Sequence, residues 1–203
     1  MGIASAGSFT KNRCALRKNS YYTRFFLQGE TMIRSFKDTS PRIGANTYID
    51  ESAVVIGDVE IGANCSVWPL TVIRGDINRI RIGDNTNIQD GSVLHVTHRG
   101  EYSPEGAELH IGNQVTVGHK ALLHGCRIGN QCLIGMGSII TDNAVIEDRV
   151  IIGSGSLVPP GKRLESGYLY LGNPVTQKRP LTGREIEYLA YVAQHYILLT
   201  EHY

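Results

Sequence analysis

A parallel β-helix is the fold that this sequence predicts, on three observations. Branched apolar residues recur at every sixth position, at Ile43, Ile49, Val55, Ile61, Val67 and Ile73. A glycine often follows the apolar residue, as in Ile43-Gly44, Ile61-Gly62, Ile82-Gly83, Ile111-Gly112, Ile128-Gly129, Ile134-Gly135 and Ile152-Gly153. Asn or Asp then comes next in Gly83-Asp84-Asn85, Gly112-Asn113 and Gly129-Asn130. A six-residue step is neither a helical period nor simple strand alternation. A short strand plus a corner in each hexad satisfies it, with Gly and Asn accepting the positive φ that a corner can require. Three hexads close one triangular coil, and coils stack with the apolar residue inside. A β-sandwich would not sustain this period along so much of the chain.

Residues 1–31 stand apart. Lys11, Arg13, Arg17, Lys18 and Arg24 all precede the first acid, Glu30. This stretch reads as a disordered N-terminal extension outside the fold, ahead of Met32. An Arg- and Ser-rich, acid-poor start also suits a targeting segment, although the apolar core of a secretory signal is missing. The β-helix is expected over residues 32–160. Its period breaks twice: Ile61 to Ile82 and Ile82 to Ile111 both exceed one coil, and the second excess falls in Thr97 to Glu108, read as an external loop. The repeat stops at Pro159-Pro160-Gly161, and residues 161–203 supply a linker and a helix. Thr182-Gly183-Arg184-Glu185 is a capping box, and Ile186, Leu189, Ala193, Tyr196 and Ile197 follow at helical spacing. A helix of that length gains most of its stability by packing along the coils.

The bulk numbers narrow the function. A chain of 203 residues suits one well-buried domain. Its 20 Lys and Arg against 19 Asp and Glu leave no basic stripe for nucleic acid or an anionic membrane. No apolar run approaches the roughly 18 residues of a bilayer span. Cys14, Cys65, Cys126 and Cys132 show neither metal-ligand spacing nor a disulfide framework, and read as free thiols in a reducing cytoplasm.

The repeat also serves as a ruler for the histidines. His95 lies 13 residues after Ile82, and His124 lies 13 after Ile111. If the two isoleucines are equivalent, the histidines stack about 4.8 Å apart at the backbone. Arg74, 13 residues after Ile61, falls in the same column one coil below. Stacked imidazoles at that distance can share one ion with metal–nitrogen bonds of about 2.0–2.1 Å. His119 does not fit the column: five residues of extended chain separate it from His124 by roughly 16 Å. One chain therefore should not close a three-histidine site. Two copies side by side can, with His119 of one facing His95 and His124 of the other. Triangular prisms around a threefold axis would form three such sites. Three imidazoles and an open position make a catalytic rather than a structural zinc arrangement. His98 and His110 lack a register partner and read as loop residues, while His195 and His202 read as helix-surface residues.

Several motifs resemble the gamma-class carbonic anhydrases, a hexapeptide-repeat family. They are Arg74-Gly75-Asp76, Asn87-Ile88-Gln89-Asp90-Gly91, Val93-Leu94-His95 and Gly118-His119-Lys120-Ala121-Leu122-Leu123-His124-Gly125. The resemblance runs from about residue 34 to the end. It implies a left-handed β-helix homotrimer with zinc, or iron or cobalt, between subunits. The implied ligands are His95 and His124 from one subunit and His119 from the next. It further implies that Gln89 positions the metal-bound water with Asn87 nearby, that Arg74 and Asp76 are ion-paired at the subunit interface, and that Tyr196 points into the site.

The implied activity is that of a lyase interconverting CO2 and bicarbonate, with hydroxide generated on zinc as the nucleophile. One departure bears on rate. Ile77 stands where the archetypal member has a glutamate, and that member's glutamate proton shuttle has no clear match, although Glu101, Glu105, Glu108 and His98 lie nearby in sequence. A metal- or ligand-binding trimer with little hydratase activity is therefore the main alternative. An acyltransferase using a lone histidine as general base is a third.

Overall fold

The computed structural model describes residues 32–203, and the expectations for residues 1–31 lie outside the described residues. The chain winds as a left-handed parallel β-helix with three flat faces. Face one is built by the start of Val54–Ile61, the start of Val72–Ile82, then Val93–His95, Leu122–His124, Ile139–Ile140 and Leu157–Val158. Face two takes Arg42–Ile43, the ends of the same two long strands, then Leu109–Ile111, Arg127–Ile128, Val145–Ile146 and Arg163–Leu164. Face three holds Tyr48–Ile49, Ser66–Val67, Asn87–Ile88, Thr116–Val117, Leu133–Ile134, Ile151–Ile152 and Tyr168–Gly172.

Each hexad turns one large side chain inward, with a smaller buried residue two positions before it (Ala121 before Leu123, Cys126 before Ile128, Cys132 before Ile134), and the register stacks the large side chains into three columns. They are Val55, Ile73, Leu94, Leu123, Ile140 and Val158 on face one; Ile61, Ile82, Ile111, Ile128, Ile146 and Leu164 on face two; and Val67, Ile88, Val117, Ile134, Ile152 and Tyr170 on face three. Every one is buried. At about 1.5–3 kcal/mol for each buried aliphatic side chain, this ladder is the main stabilising contribution.

The corners correct one expectation. Positive φ between faces two and three falls on Asn46, Asn64, Asn85, Gln114, Gln131 and Arg149, at 53° to 57°. The glycines after the isoleucines do not adopt it; they answer to space. A Cβ on Gly62 would lie 2.7 Å from the Asp84 nitrogen and 2.8 Å from the Gly83 carbonyl carbon. Leaving out that carbon lets the next coil's Asx side chain reach back. Asp84 Oδ1 accepts the Ala63 N–H at 2.7 Å, Asn113 Oδ1 that of Asp84 at 2.8 Å, and Asp148 Oδ1 that of Asn130 at 2.7 Å.

Both period breaks sit at the corner between faces one and two. Gly57 pairs with Gly75 and Val59 with Ile80, so Asp58 alone spans what Asp76 to Arg79 span on the next coil. The longer excess is not irregular: Thr97 pairs antiparallel with Ala107, and Gly100 with Ser103, making a small hairpin. His110 lies in the strand Leu109–Ile111 between Arg81 and Arg127, not in a loop. The stack also outlasts Pro159-Pro160-Gly161, because Arg163–Leu164 and Tyr168–Gly172 extend faces two and three. Val175–Pro180 then pairs antiparallel with Tyr168–Gly172 and covers that open edge.

Helix α1, Gly183–Leu199, begins at the capping box, where Thr182 and Glu185 satisfy each other's backbone N–H groups. Leu189, Val192 and Ala193 are its buried residues, whereas Ile186 is 38% exposed. The packed stripe is the one the spacing suggested from Leu189 onward, with Tyr196 and Ile197 partly buried, Val192 added to it and Ile186 left outside. The helix packs on face three at Thr116–Val117. Among the described residues no helix is long and apolar enough to cross a membrane. Cys65, Cys126 and Cys132 are free and buried, and burial pushes the Cys65 thiol up to about 11.

Candidate metal centre

The histidines occupy the two edges of face one. His95 ends the strand Val93–His95, His124 ends Leu122–His124, and the two are register partners in adjacent coils. Their facing nitrogens, His95 Nδ1 and His124 Nε2, are 3.1 Å apart. Each ring turns its other nitrogen to a carboxylate. His95 Nε2 meets Asp76 Oδ1 at 3.1 Å, and His124 Nδ1 meets Asp142 Oδ1 at 2.5 Å. A carboxylate accepts, so the bonding assigns each imidazole the tautomer with its proton on the outer nitrogen. The inner nitrogens are then two lone pairs facing each other with no proton between them. Two nitrogens bound at about 2.0–2.1 Å and a tetrahedral angle stand about 3.3–3.4 Å apart, within a few tenths of an ångström of the observed separation. The pair therefore fits a shared divalent cation, with outer carboxylates of the kind that orient metal-binding histidines.

The electrostatics agree. Burial pushes the His95 imidazolium pKa down, and the Asp76 hydrogen bond only partly opposes it, so the neutral, ligand form is favoured. Burial alone would raise the Asp76 carboxyl, but hydrogen bonds from Arg74 and His95 outweigh it and hold the group below the usual range. Arg74 stands one residue past the Ile73–Leu94 pair, next to His95 in its column, and Arg74 NH1 donates to Asp76 Oδ2 at 2.5 Å.

His119 is at the opposite edge, on the corner where the chain enters face one. Its Nδ1 lies 2.8 Å from Asp90 Oδ2, and it shares no partner with His95 or His124. Gln89 and Asn87 belong to this edge too. Gln89 Nε2 donates to Asn87 Oδ1 at 3.2 Å, and Asn87 Nδ2 donates to Thr116 Oγ1 at 2.8 Å, all three residues being buried. Tyr196 of α1 packs edge-on against Trp68, with ring centroids 5.6 Å apart. Burial, followed by the nearby Asp90 charge, raises its phenol pKa. The sequence-predicted residues thus form two groups: Arg74, Asp76, His95 and His124 at one edge, and Asn87, Gln89, His119 and Tyr196 toward the other. Among the described residues no group of three His, Cys, Asp or Glu in this one chain is placed to hold a metal.

Sequence reasoning missed Asp142 and Asp90 as histidine partners, although the repeat contained the signal. Asp142 follows His124 by 18 residues, one plain coil. Asp90 precedes His119 by 29 residues, the same coil-plus-insertion offset that separates His95 from His124.

Fold and histidine edge together define a hexapeptide-repeat β-helix with a facing, carboxylate-backed histidine pair. The family pattern described as bacterial transferase hexapeptide (six repeats) matches residues 40–75 and 125–160. The protein YrdA of Escherichia coli is 56% identical over 172 residues, covering 85% of this chain and 94% of that protein. Gamma carbonic anhydrase 2, mitochondrial, of Arabidopsis thaliana is 37% identical over 187 residues, covering 92% of this chain and 67% of that protein. Among solved structures, a putative acetyltransferase from Bacillus cereus superposes with a TM-score of 0.79 at 37% identity, covering 84% of this chain and 95% of that one. The chain belongs to the gamma carbonic anhydrase family of hexapeptide-repeat proteins.

Proposed function

We propose that this protein is a metal-dependent carbonic anhydrase-like lyase, interconverting CO2 and bicarbonate at sites shared between the subunits of a cytoplasmic homotrimer. The observation that carries the reading is the facing pair, His95 Nδ1 and His124 Nε2 at 3.1 Å, each ring backed by a carboxylate. His119 of the partner subunit completes a three-nitrogen set that leaves one position open. Zinc, or ferrous iron or cobalt, held there supplies Lewis acidity and a hydroxide nucleophile near pH 7.

Face one supports the second copy. Its outward column is Val54, Val72, Val93, Leu122, Ile139 and Leu157, with Val93 and Leu122 each 39% exposed. An apolar stripe flanked by the two histidine edges is what a neighbour must cover to bring His119 to His95 and His124. On this reading Asp76, with Arg74 on its other oxygen, fixes the His95 tautomer. Gln89 and Asn87 present an amide beside the reacting water, and Tyr196 walls the same side.

One observation favours a binding trimer with slow or no hydration. Ile77, 44% exposed beside Asp76, carries no proton acceptor, and Glu108 is tied up by Arg79 and Arg127. The test is to purify the protein anaerobically, count metal per chain and follow CO2 hydration by stopped flow with zinc or ferrous iron loaded. About one metal per chain with hydration supports the lyase; the same metal without hydration supports the binding trimer. No bound metal would overturn both.

A further inference from the structure

The insertion hairpin reaches the histidine pair, and its role there is separate from any proton-carrying glutamate it bears. Its first residue, Thr97, donates its hydroxyl to Asp142 Oδ2 at 2.6 Å, while Asp142 Oδ1 takes His124 Nδ1 at 2.5 Å. Thr97 is itself fixed from three directions. Its N–H and carbonyl pair with Ala107 at 2.9 and 3.0 Å, and the same carbonyl accepts from Asn78 Nδ2 at 3.0 Å. Asn78 belongs to the bulge of residues 76–79 that also carries Asp76, the partner of His95. Both departures from the hexad therefore converge on the pair. Gly125, immediately after His124, leaves the space: at φ +53°, a Cβ there would lie 2.6 Å from both Asp142 Oδ1 and the Ala107 Cβ.

We infer that Thr97 is a positioning residue for His124: the hairpin base holds Asp142, and Asp142 fixes the imidazole tautomer that aims Nε2 at His95 Nδ1. A lone carboxylate at this corner, with both side chains of the Asp142–His124 pair 32% exposed, could swing toward solvent. The hydroxyl on its second oxygen takes away that freedom, and the hairpin then sets the geometry of the site without touching substrate. The functional consequence rests on the metal-site reading above, but the tautomer does not.

The experiment compares the full-length wild type with Thr97→Val and Thr97→Ser. Histidine tautomers of the metal-free protein are read by long-range proton–nitrogen correlation spectra, and Co2+ affinity by visible absorption. In the wild type His124 should be a single Nδ1–H tautomer. Thr97→Val should give a mixture of tautomers and bind Co2+ about 10-fold more weakly. Thr97→Ser, which keeps the hydroxyl, should restore both. A wild-type tautomer in Thr97→Val would overturn the inference, whatever the metal result. A mixture in Thr97→Val in a wild type that binds no Co2+ would uphold the clamp while removing the metal reading.

Discussion

His124 stands directly over His95, one coil apart, and the carboxylates behind them come from different coils, Asp76 and Asp142. The proposed third ligand is on the far edge of the same face, so it must come from another copy. Mixing subunits tests this. His119→Ala alone and His124→Ala alone should each abolish tight metal binding. Refolded together in equal amounts, they should recover about a quarter of the wild-type metal. A random mixture pairs an intact His95–His124 edge with an intact His119 in about one interface in four. Recovery indistinguishable from zero, with trimers present by light scattering, would show that the sites are not shared.

Much of this arrangement was legible in the sequence, for a physical reason. A β-helix turns sequence offset into spatial neighbourhood, so counting from Ile82 and Ile111 placed His95 beside His124 without coordinates. The same counting left out Asp142 because it was followed along the Arg74, His95 and His124 column and not carried one coil beyond His124. What the ruler could not give was direction at the corners. The hexad read the glycines as conformational switches, whereas Gly62 is set by the approach of the next coil and Asn64 takes the positive φ. The helical spacing placed Leu189, Ala193, Tyr196 and Ile197 on the packed side of α1; it overextended that stripe to Ile186 on the first turn and omitted Val192.

Two glycine substitutions separate those roles. Gly62→Ala forces a Cβ against the Asp84 backbone and side chain, and neither can retreat without breaking the Ala63–Asp84 bond. It should cost about 1–3 kcal/mol. Gly183→Ala, on the first turn of α1, meets nothing within 4 Å and should add about 0.4–1 kcal/mol. Thermal denaturation at fixed protein concentration checks both signs; equal shifts for the two would contradict the close-approach account.

Acid stability of the helix docking should depend on Glu185. Hydrogen bonds from Arg179, then the Thr182 backbone N–H, bring its carboxyl from 4.5 down to about 2. A depressed carboxylate contributes stability above its unfolded pKa and loses it as pH falls through the folded one. The contribution should therefore be complete above about pH 5 and fade toward pH 2. Because the group is on the surface, solvent and salt screen the effect, and it should be modest. Glu185→Gln should lower the melting temperature at pH 7, with the gap to wild type closing as pH approaches 2. A gap that stays constant with pH would remove the ion pair as its cause.

Tyr196 can be assigned by splitting its ring from its hydroxyl. The chain has one tryptophan, Trp68, which is buried and ringed by Tyr48, Tyr196 and Tyr203 at centroid distances of 5.5, 5.6 and 5.1 Å. Its emission therefore reports whether the end of α1 is seated. Tyr196→Ala removes a ring wall and should shift that emission to the red, with a stability loss of about 3 kcal/mol for a buried aromatic, scaled down because this ring is only partly buried. Tyr196→Phe keeps the wall and should leave emission and melting unchanged. If the hydroxyl acts in the chemistry, Tyr196→Phe should lower kcat for CO2 hydration severalfold while metal content stays at the wild-type level. If Tyr196→Phe is wild type in rate and only Tyr196→Ala is impaired, the residue is packing for the His119 edge and nothing more.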